Sequence, residues 1–216
     1  MQDFETRRVV MVDTQVRPND VTKFPIIEAM LNVPRETYVP DSLRELAYLG
    51  ENLEIAPDRV LLEPRIFAKL LDALNIRSND LVLDLGCGLG YSSAIIAHLA
   101  EAVVAVEEDP LAKQAELTLG QAEVDNIAVV HNALPQGAPQ HGPFDVILIE
   151  GAVEEVPDTI LESLKEGGRI GTVFMENNLG IARIGIKTDG VVNWRDAFNA
   201  AAPVLSGFRQ VSRFSL

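Results

Sequence analysis

Residues 81–91 read Leu-Val-Leu-Asp-Leu-Gly-Cys-Gly-Leu-Gly-Tyr, and this stretch decides the fold. A short apolar run carries an acid, Asp84, near its end, and three alternate glycines follow it. Glycine lets the backbone turn sharply and approach a ligand closely, because it has no Cβ atom. A helix that begins at Tyr91 would offer unpaired N–H groups and the positive end of its dipole to that ligand. The stretch therefore predicts a strand, a ligand-binding glycine loop and a helix.

The acid at the end of the next predicted strand limits the kinds of ligand that the loop could bind. The apolar run 103–106 ends in Glu107, where an acid can reach ribose hydroxyls. The dinucleotide fingerprint is G-x-G-x-x-G, whereas the glycines here are spaced G-x-G-x-G and a bulky Tyr91 follows them. The glycines lack the following Lys-Ser or Lys-Thr of a P-loop. A nucleotide-type cofactor is the prediction, and a dinucleotide site or a purely structural turn are the alternatives.

Composition bounds the class of protein. The chain has 216 residues, 47% of them apolar, which fits one domain with a full core. A net charge of −14 repels nucleic-acid phosphates, so a nucleic-acid partner is not expected. The sequence has no apolar run of about 18 residues and no signal-peptide pattern at its start, so we expect no membrane association and a cytoplasmic protein. With one cysteine, an intrachain disulfide is impossible.

Strands and helices alternate after residue 80, which predicts a parallel sheet with helices on both faces. The predicted strands are 81–85, 103–106, 127–130, 144–149 and 169–174, and the predicted helices are 91–99, 110–124 and 157–164. The tail differs, because 181–187 alternates like an exposed strand and Asp189-Gly190 forms a tight turn before a further strand at 208–214. This tail predicts an antiparallel addition at one edge of the sheet.

The part before residue 80 has a more helical pattern. We expect irregular structure over 1–20, with a turn and helix cap at 17–20. Helices are predicted at 24–31 and 64–74, with a short helical piece at 43–47 between them. The intervening segment 51–62 carries Pro57 and Asp58 and is predicted to be a loop.

Polar side chains lie at the carboxyl ends of four of the predicted parallel strands. Ligands in such sheets bind beyond the carboxyl ends of the strands. We therefore expect these side chains to line one crevice; they are Asp84, Glu107, Asn132 and Glu150.

Several motifs resemble known methyltransferase families. The acid-x-G-x-G-x-G pattern is similar to the first motif of S-adenosylmethionine-dependent methyltransferases. Residues 27–40, Ile-Glu-Ala-Met-Leu-Asn-Val-Pro-Arg-Glu-Thr-Tyr-Val-Pro, followed by Ala47-Tyr48 and Leu-Glu-Ile at 53–55, resemble the start of protein-L-isoaspartate O-methyltransferases. Pro-Phe-Asp-Val-Ile at 143–147 and Leu-Lys-Glu-Gly-Gly-Arg at 164–169 match further motifs of that family.

The resemblance implies a fold and an activity. The implied fold is α/β, a doubly wound and mostly parallel seven-stranded Rossmann-like methyltransferase sheet. It carries an antiparallel C-terminal edge addition and an N-terminal helical extension. Residues 1–216 would form one domain, with 1–75 as the extension and 76–216 as the core. The implied activity is transfer of a methyl group from S-adenosyl-L-methionine to isoaspartyl carboxylates of damaged proteins or peptides, with S-adenosyl-L-homocysteine as product.

The resemblance also implies site residues. Asp84 would hold the amino group of the cofactor, the loop would pass along it, and Glu107 would bind the ribose. The implied cofactor-binding set is Asp84, Gly86, Cys87, Gly88, Gly90, Glu107, Glu108, Asn132, Ala133 and Glu150, with Asn132 toward the adenine. The implied substrate loop is Leu62, Glu63 and Pro64, where the family reads Ser-x-Pro.

Two departures keep other functions open. Leu62 replaces the family's serine, and Glu63 adds a negative charge beside an anionic substrate. A carboxylate substrate is ionised at pH 7 and needs no general base, whereas an alcohol, amine or thiol acceptor would need one, for which Glu63, His131 and Glu150 are candidates. A methyltransferase with another substrate and a non-catalytic cofactor-binding protein are the alternatives. No metal site is predicted, because the three histidines and one cysteine lack ligand spacing.

Overall fold

The computed structural model describes residues 3–210 and builds them around a seven-stranded sheet, beside which lies a two-stranded hairpin. The hairpin strands are β1 (Leu53–Ala56) and β2 (Arg59–Leu61). The sheet strands are β3 (Leu81–Leu85), β4 (Ala102–Glu107), β5 (Ile127–His131), β6 (Phe144–Val153), β7 (Leu164–Glu176), β8 (Leu179–Thr188) and β9 (Val191–Asn199). The α-helices are α1 (Phe4–Met11), α2 (Phe24–Asn32), α3 (Pro64–Leu74), α4 (Tyr91–Ala97), α5 (Leu111–Gln121) and α6 (Asp158–Glu162).

The sheet topology confirms the predicted fold class. The strand order is β5-β4-β3-β6-β7-β8-β9. The strands from β5 to β7 in this order pair in parallel, and β8 and β9 add antiparallel at one edge. Because the carboxyl ends of the parallel strands meet at one edge, that edge is where a ligand crevice is expected.

Alternation along the strands divides the core between the two faces of the sheet. Successive side chains of a strand point to opposite faces, and Val82 packs in one apolar cluster while Leu83 packs in the other. The N-terminal helices, α3 and α4 cover the first face. Helix α6 and the segment 204–208 cover the second. The N-terminal third of the chain is therefore part of the same core as the sheet.

The prediction of irregular structure over 1–20 is wrong for residues 3–19. Helix α1 begins after Asp3, whose Oδ1 accepts a hydrogen bond from the Thr6 N–H at 2.8 Å. A π-helical turn and a 3-10 turn continue it to residue 19. Met11, Val12 and Val16 are fully buried, so packing against the core stabilises a segment whose composition is polar. The turn at 17–20 is confirmed, but it does not cap α2, which begins after Lys23.

The predicted loop at 51–62 is also wrong, because β1 and β2 pair there as an antiparallel hairpin. Asp58 makes the turn with a left-handed φ of 58°, a conformation that Asp tolerates better than most residues. Strands of four and three residues are too short for their alternation to stand out in the sequence.

The strand predicted at 208–214 is wrong as far as it can be compared, because residues 208–210 are not in a strand and 211–214 lie outside the described residues. The partner of β8 is instead β9, directly after the Asp189-Gly190 turn. β9 is an edge strand with mostly exposed residues, so its apolar alternation is weak. The antiparallel edge addition itself is confirmed.

Most other boundaries agree closely with the prediction. Helix α3 and strand β3 match it to the residue, whereas β6 and β7 run several residues longer. In the part of the chain that the structure describes, no helix combines the length and apolar character needed to cross a membrane.

Candidate functional site

Asp84 lies at the carboxyl end of β3 and is fully buried. Its Oδ2 accepts hydrogen bonds from the hydroxyls of Ser92, at 2.6 Å, and Ser93, at 2.5 Å, in the first turn of α4. Its Oδ1 is buried and has no hydrogen-bond partner among residues 3–210. Burial raises the pKa of Asp84 to about 6; the serine hydrogen bonds oppose this shift and the nearby charge of Glu107 adds to it. One carboxylate oxygen is therefore left for a donor from outside.

The glycine loop keeps its backbone close to its neighbours. All three of its glycines have positive φ, and the Gly86 N–H donates to the Val106 carbonyl at 2.8 Å. A Cβ atom on Gly88 would lie 2.6 Å from Cδ1 of Ile55, in the hairpin. Cys87 is buried, and burial raises the pKa of its thiol, so it remains neutral and packs in the loop. The hairpin thus lies directly over the loop, without room for a side chain at Gly88.

Glu107 ends β4, is fully buried and is surrounded by donors. Its Oε2 accepts from the Gly88 N–H at 2.9 Å. Its Oε1 accepts from the Glu108 N–H at 2.8 Å and from Arg59 Nε at 3.2 Å. Arg59 Nη2 also contacts Glu108 Oε2 at 3.2 Å, and Glu108 Oε1 accepts from the Leu134 N–H at 3.3 Å. Two of the predicted cofactor carboxylates are therefore joined by one arginine.

Sequence reasoning missed Arg59 as a site residue. The segment that carries it was predicted to be a loop, and one arginine in a loop gives no signal of its own. It is only 5% exposed, because β2 places its side chain beneath the hairpin, against the end of β4. A prediction of the hairpin would have been needed to find it.

A cleft of about 500 Å³ opens beside Glu107. This volume is within the range of small-molecule sites, about 300–1,000 Å³. One wall comes from the hairpin and the other from the end of β4 and the start of α5. The lining residues are Pro40, Ile55, Ala56, Pro57, Arg59, Glu107, Glu108, Asp109, Pro110, Leu111 and Gln114.

Asn132 and Ala133 follow β5, one strand farther along the sheet. The Asn132 N–H donates to the Glu107 carbonyl at 3.2 Å, which holds the two strand ends together. Its side-chain amide donates to the Gly137 carbonyl and accepts from the Ala133 N–H, both at 2.9 Å. The amide therefore fixes its own loop, and one amide N–H remains for a ligand.

Glu150 lies within β6, three residues before the strand ends, and not after the strand as expected. The register of β6 against β7 is irregular between Leu148 and Ala152, and Glu150 is in this stretch. It is 4% exposed, and its Oε1 has no partner in the described part of the chain. Burial raises the pKa of Glu150 well above its ordinary value; the charge of Asp84 adds to the shift and that of Arg35 opposes it.

Arg35, in the Val-Pro-Arg-Glu stretch, is a second site residue that the sequence did not assign. It is buried, and it donates from Nε to the Ala47 carbonyl and from Nη2 to the Leu62 carbonyl, both at 2.7 Å. Its guanidinium carbon lies 4.8 Å from the centre of the Tyr91 ring. Its Nη1 and the Tyr91 hydroxyl are buried without a partner among the described residues. Arg35 therefore connects the predicted substrate loop to the ring of Tyr91.

The predicted substrate loop connects the hairpin to α3. Leu62 is 1% exposed, so its side chain belongs to the core and only its carbonyl contributes a polar contact. Glu63 donates its N–H to Asn52 Oδ1 at 2.9 Å, and its Oε1 accepts from Arg65 Nε at 2.6 Å. Pro64 is the first residue of α3. The extra charge at Glu63 is therefore balanced by Arg65.

The structure separates His131 from these groups. His131 is exposed at the end of β5, with Nδ1 2.9 Å from Asp109 and Nε2 3.2 Å from Glu116. This surface arrangement gives it no access to the buried carboxylates. Within residues 3–210, no cluster of three or more His, Cys, Asp or Glu side chains has the geometry to hold a metal ion.

Comparisons with known proteins identify the family to which this chain is similar. The model of the protein-L-isoaspartate(D-aspartate) O-methyltransferase family matches residues 8–197. Protein-L-isoaspartate O-methyltransferase 2 of Anaeromyxobacter sp. (strain Fw109-5) is 37% identical over 167 residues, which cover 77% of this chain and 69% of the relative. Protein-L-isoaspartate O-methyltransferase of Methanoculleus marisnigri is 37% identical over 164 residues, covering 76% and 74%.

Solved structures match the fold. A protein-L-isoaspartate O-methyltransferase superposes with a TM-score of 0.80 at 23% identity, covering 95% of this chain and 66% of the other. A Plasmodium falciparum structure in complex with S-adenosyl-L-homocysteine gives a TM-score of 0.78 at 17% identity, covering 95% and 99%. At these identities the match concerns the fold, and it extends over the N-terminal helices as well as the sheet.

Proposed function

Because this chain belongs to the protein-L-isoaspartate(D-aspartate) O-methyltransferase family, we propose that it methylates isoaspartyl carboxylates of proteins or peptides, with S-adenosyl-L-methionine as the methyl donor. The observation that carries the proposal is the pair of buried carboxylates on either side of the glycine loop. Asp84 and Glu107 are both fully buried, and both lie at the carboxyl ends of neighbouring strands.

The described residues fit this cofactor. Within residues 3–210, one buried acceptor oxygen of Asp84 has no hydrogen-bond partner, which suits the ammonium group of the cofactor. The glycine loop has no room for a side chain at Gly88 or Gly90, and the cleft beside Glu107 has the volume of a nucleoside-sized ligand. We propose that Glu107, Glu108 and Asn132 bind its ribose and adenine.

The chemistry of methyl transfer determines what the cofactor supplies and what the protein has to do. When bound, the cofactor supplies an activated methyl group, so the protein's task is to position the two reactants. The acceptor carboxylate is ionised at pH 7, and no group of the chain needs to remove a proton from it. The buried carboxylates and the loop hold the cofactor, and the hairpin forms one wall of the cleft.

The acceptor side lacks the family's serine, and we propose that Arg35 and Tyr91 compensate. Arg35 Nη1 and the Tyr91 hydroxyl are buried donors without partners in the described chain, and Arg35 already holds the Leu62 carbonyl at 2.7 Å. An Arg–carboxylate hydrogen bond is charge-assisted and stronger than one from a hydroxyl. We also propose a single domain in which residues 1–75 face the acceptor, acting in the cytoplasm.

A second candidate is methylation of a neutral nucleophile, and one observation favours it. Glu150 is buried beside Asp84, has an oxygen without a partner in residues 3–210, and has a raised pKa. A carboxylate with a raised pKa is suited to take a proton from an amine or hydroxyl acceptor. Glu150→Gln separates the two functions, because it would abolish methylation of a neutral acceptor and leave methylation of a carboxylate.

The proposal is tested with a labelled methyl donor and two peptides that differ only in an isoaspartyl or an aspartyl linkage. We expect label on the isoaspartyl peptide alone, in a product that loses it as methanol at alkaline pH. Equal labelling of both peptides, or alkali-stable label, would contradict the proposed substrate. The enzyme variant Glu150→Gln is assayed beside the wild type as a control.

A further inference from the structure

Arg59 is the one side chain that joins the hairpin to the carboxylates of the cleft. It begins β2, is 5% exposed, and places Nε 3.2 Å from Glu107 Oε1 and Nη2 3.2 Å from Glu108 Oε2. An arginine buried to this degree contributes little as a surface charge. Its contacts point to a role at the cleft.

The hydrogen bonds that Glu107 already accepts leave too few acceptor positions for both hydroxyls of a ribose. An ionised carboxylate offers about four acceptor positions, and three are used, by the N–H groups of Gly88 and Glu108 and by Arg59 Nε. A ribose brings two O–H donors, so one of the present donors has to leave. The two N–H groups are fixed by the backbone, which leaves Arg59 as the donor that can be replaced.

The position of Arg59 links the cleft to the acceptor side. Arg59 is three residues before Leu62, and Ile55 on the other strand of the hairpin packs over Gly88. When Arg59 leaves Glu107, the strand that leads into the substrate loop loses one of the two ion pairs of Arg59 and keeps the one to Glu108. Binding at the nucleoside end is therefore coupled mechanically to residues 62–64.

We infer that Arg59 is a displaceable counter-ion, which pairs with Glu107 in the ligand-free protein and yields this place to the ribose hydroxyls when the cofactor binds. This inference rests on the proposed function for the identity of the ligand. It makes Arg59 a positioning residue that opposes cofactor binding and that releases the hairpin after the cofactor has entered. The acceptor is then bound after the cofactor.

The direction in which a substitution of Arg59 changes the affinity for the cofactor tests the inference. Binding of S-adenosyl-L-homocysteine is measured by calorimetry at pH 8 for the wild type, Arg59→Gln and Arg59→Lys. We expect Arg59→Gln to bind about threefold to tenfold more tightly, since the ligand no longer replaces a hydrogen bond to a charged group. Arg59→Lys keeps the charge and should change the affinity less. Unchanged or weaker binding by Arg59→Gln would overturn the inference.

Two controls separate this result from other effects. Arg183→Gln removes a surface arginine that also bridges two carboxylates, Glu176 and Asp196, and should leave the affinity unchanged. Absence of binding by the wild type contradicts the proposed function itself, whereas the direction of the change in Arg59→Gln concerns Arg59 alone.

A measurement on the wild-type protein covers the case in which Arg59→Gln does not fold. The Arg59 Nε–H resonance is assigned by its loss in Arg59→Lys, and its exchange with water is followed by NMR. We expect slow exchange in the free protein, where Nε is bonded to a buried carboxylate, and at least about tenfold faster exchange with saturating S-adenosyl-L-homocysteine. Equal or slower exchange in the complex would show that Arg59 stays on Glu107 and would refute the inference.

Discussion

At the scale of single residues, the chemistry of the site depends on carboxylates that the fold has buried. Asp84 accepts hydrogen bonds from two serine hydroxyls and keeps one oxygen without a partner in the described chain, whereas Glu107 accepts three hydrogen bonds that involve both of its oxygens. Two acids with the same sequence signal, an apolar strand ending in a carboxylate, therefore have different environments. The difference comes from the residues around them, which no strand pattern reveals.

Asp84→Asn should weaken binding of S-adenosyl-L-homocysteine by about tenfold to a hundredfold, because a hydrogen bond to a charged group is lost. The amide keeps the shape of the side chain, and the two serines can still bond to it. Affinity is measured by calorimetry. Asp196→Asn on the surface is the control, and equal affinities for both variants would contradict the role of Asp84.

The raised pKa of Asp84 gives this binding a defined pH dependence. Its pKa of about 6 in the folded protein exceeds the ordinary value of 3.8. Ionisation is thus disfavoured in the free protein, and this group's contribution to folding stability is present below about pH 4 and lost as the pH rises through about 6. Binding of an ammonium group needs the ionised form and should strengthen over the same interval. We expect affinity to fall when the pH is lowered from 7 to 5, and Asp84→Asn to remove that part of the dependence.

At the scale of elements, sequence patterns predicted the helices and strands whose apolar residues are regularly spaced. They failed for segments whose structure depends on tertiary contacts. The bounds of helix α3 and strand β3 were predicted to the residue, because apolar residues recur in them with the regular pattern of a helix and of a buried strand. The helical segment 4–19 was missed, since its polar composition hides Met11, Val12 and Val16, which pack in the core. The β1–β2 hairpin was missed because its strands are short. Arg59 and one wall of the cleft belong to this hairpin, so they were missed as well. Asp84 and Glu107 lie at strand ends as expected, whereas Glu150 lies within β6, and the hydrogen-bond partners of these carboxylates were not predictable.

Gly88→Ala tests the packing of the hairpin on the glycine loop. The added Cβ would meet Ile55 Cδ1 at 2.6 Å, and φ at this position is +58°. We expect a loss of stability of about 2 kcal/mol, measured by urea unfolding, together with weaker cofactor binding.

Gly167→Ala is the matched control for backbone strain. Its φ is +75°, and a Cβ there would have no heavy atom of the described residues within 4 Å. It should lose stability through strain alone and bind the cofactor normally. If both variants bound S-adenosyl-L-homocysteine equally well, close packing of the hairpin on the loop would not matter for the site.

At the scale of the whole molecule, the N-terminal third and the sheet act as one unit. The buried residues of α1, α2 and α3 belong to the same apolar cluster as one face of the sheet. Arg35 extends this connection to the site, from the Ala47 and Leu62 carbonyls to the face of Tyr91. The acceptor side and the cofactor side of the site are therefore held by one core.

The charge of the whole molecule should influence which peptides it modifies. With a net charge of −14, the protein attracts basic chains and repels acidic ones over a distance that salt reduces. We expect a higher kcat/KM for isoaspartyl peptides flanked by lysine than for the same peptides flanked by glutamate. The difference should shrink as the salt concentration rises from about 0.01 M to about 1 M, over which the Debye length falls from about 30 Å to about 3 Å. A preference that is independent of salt would assign selectivity to local contacts.

The most direct measurement is calorimetric titration of the wild-type protein with S-adenosyl-L-homocysteine, beside the double variant Asp84→Asn, Glu107→Gln. The account predicts one binding site per chain in the wild type and no measurable heat in the double variant, with folding of both checked by circular dichroism. A wild-type protein that is folded and gives no binding heat, or a double variant that binds as tightly as the wild type, would contradict the assignment of this crevice.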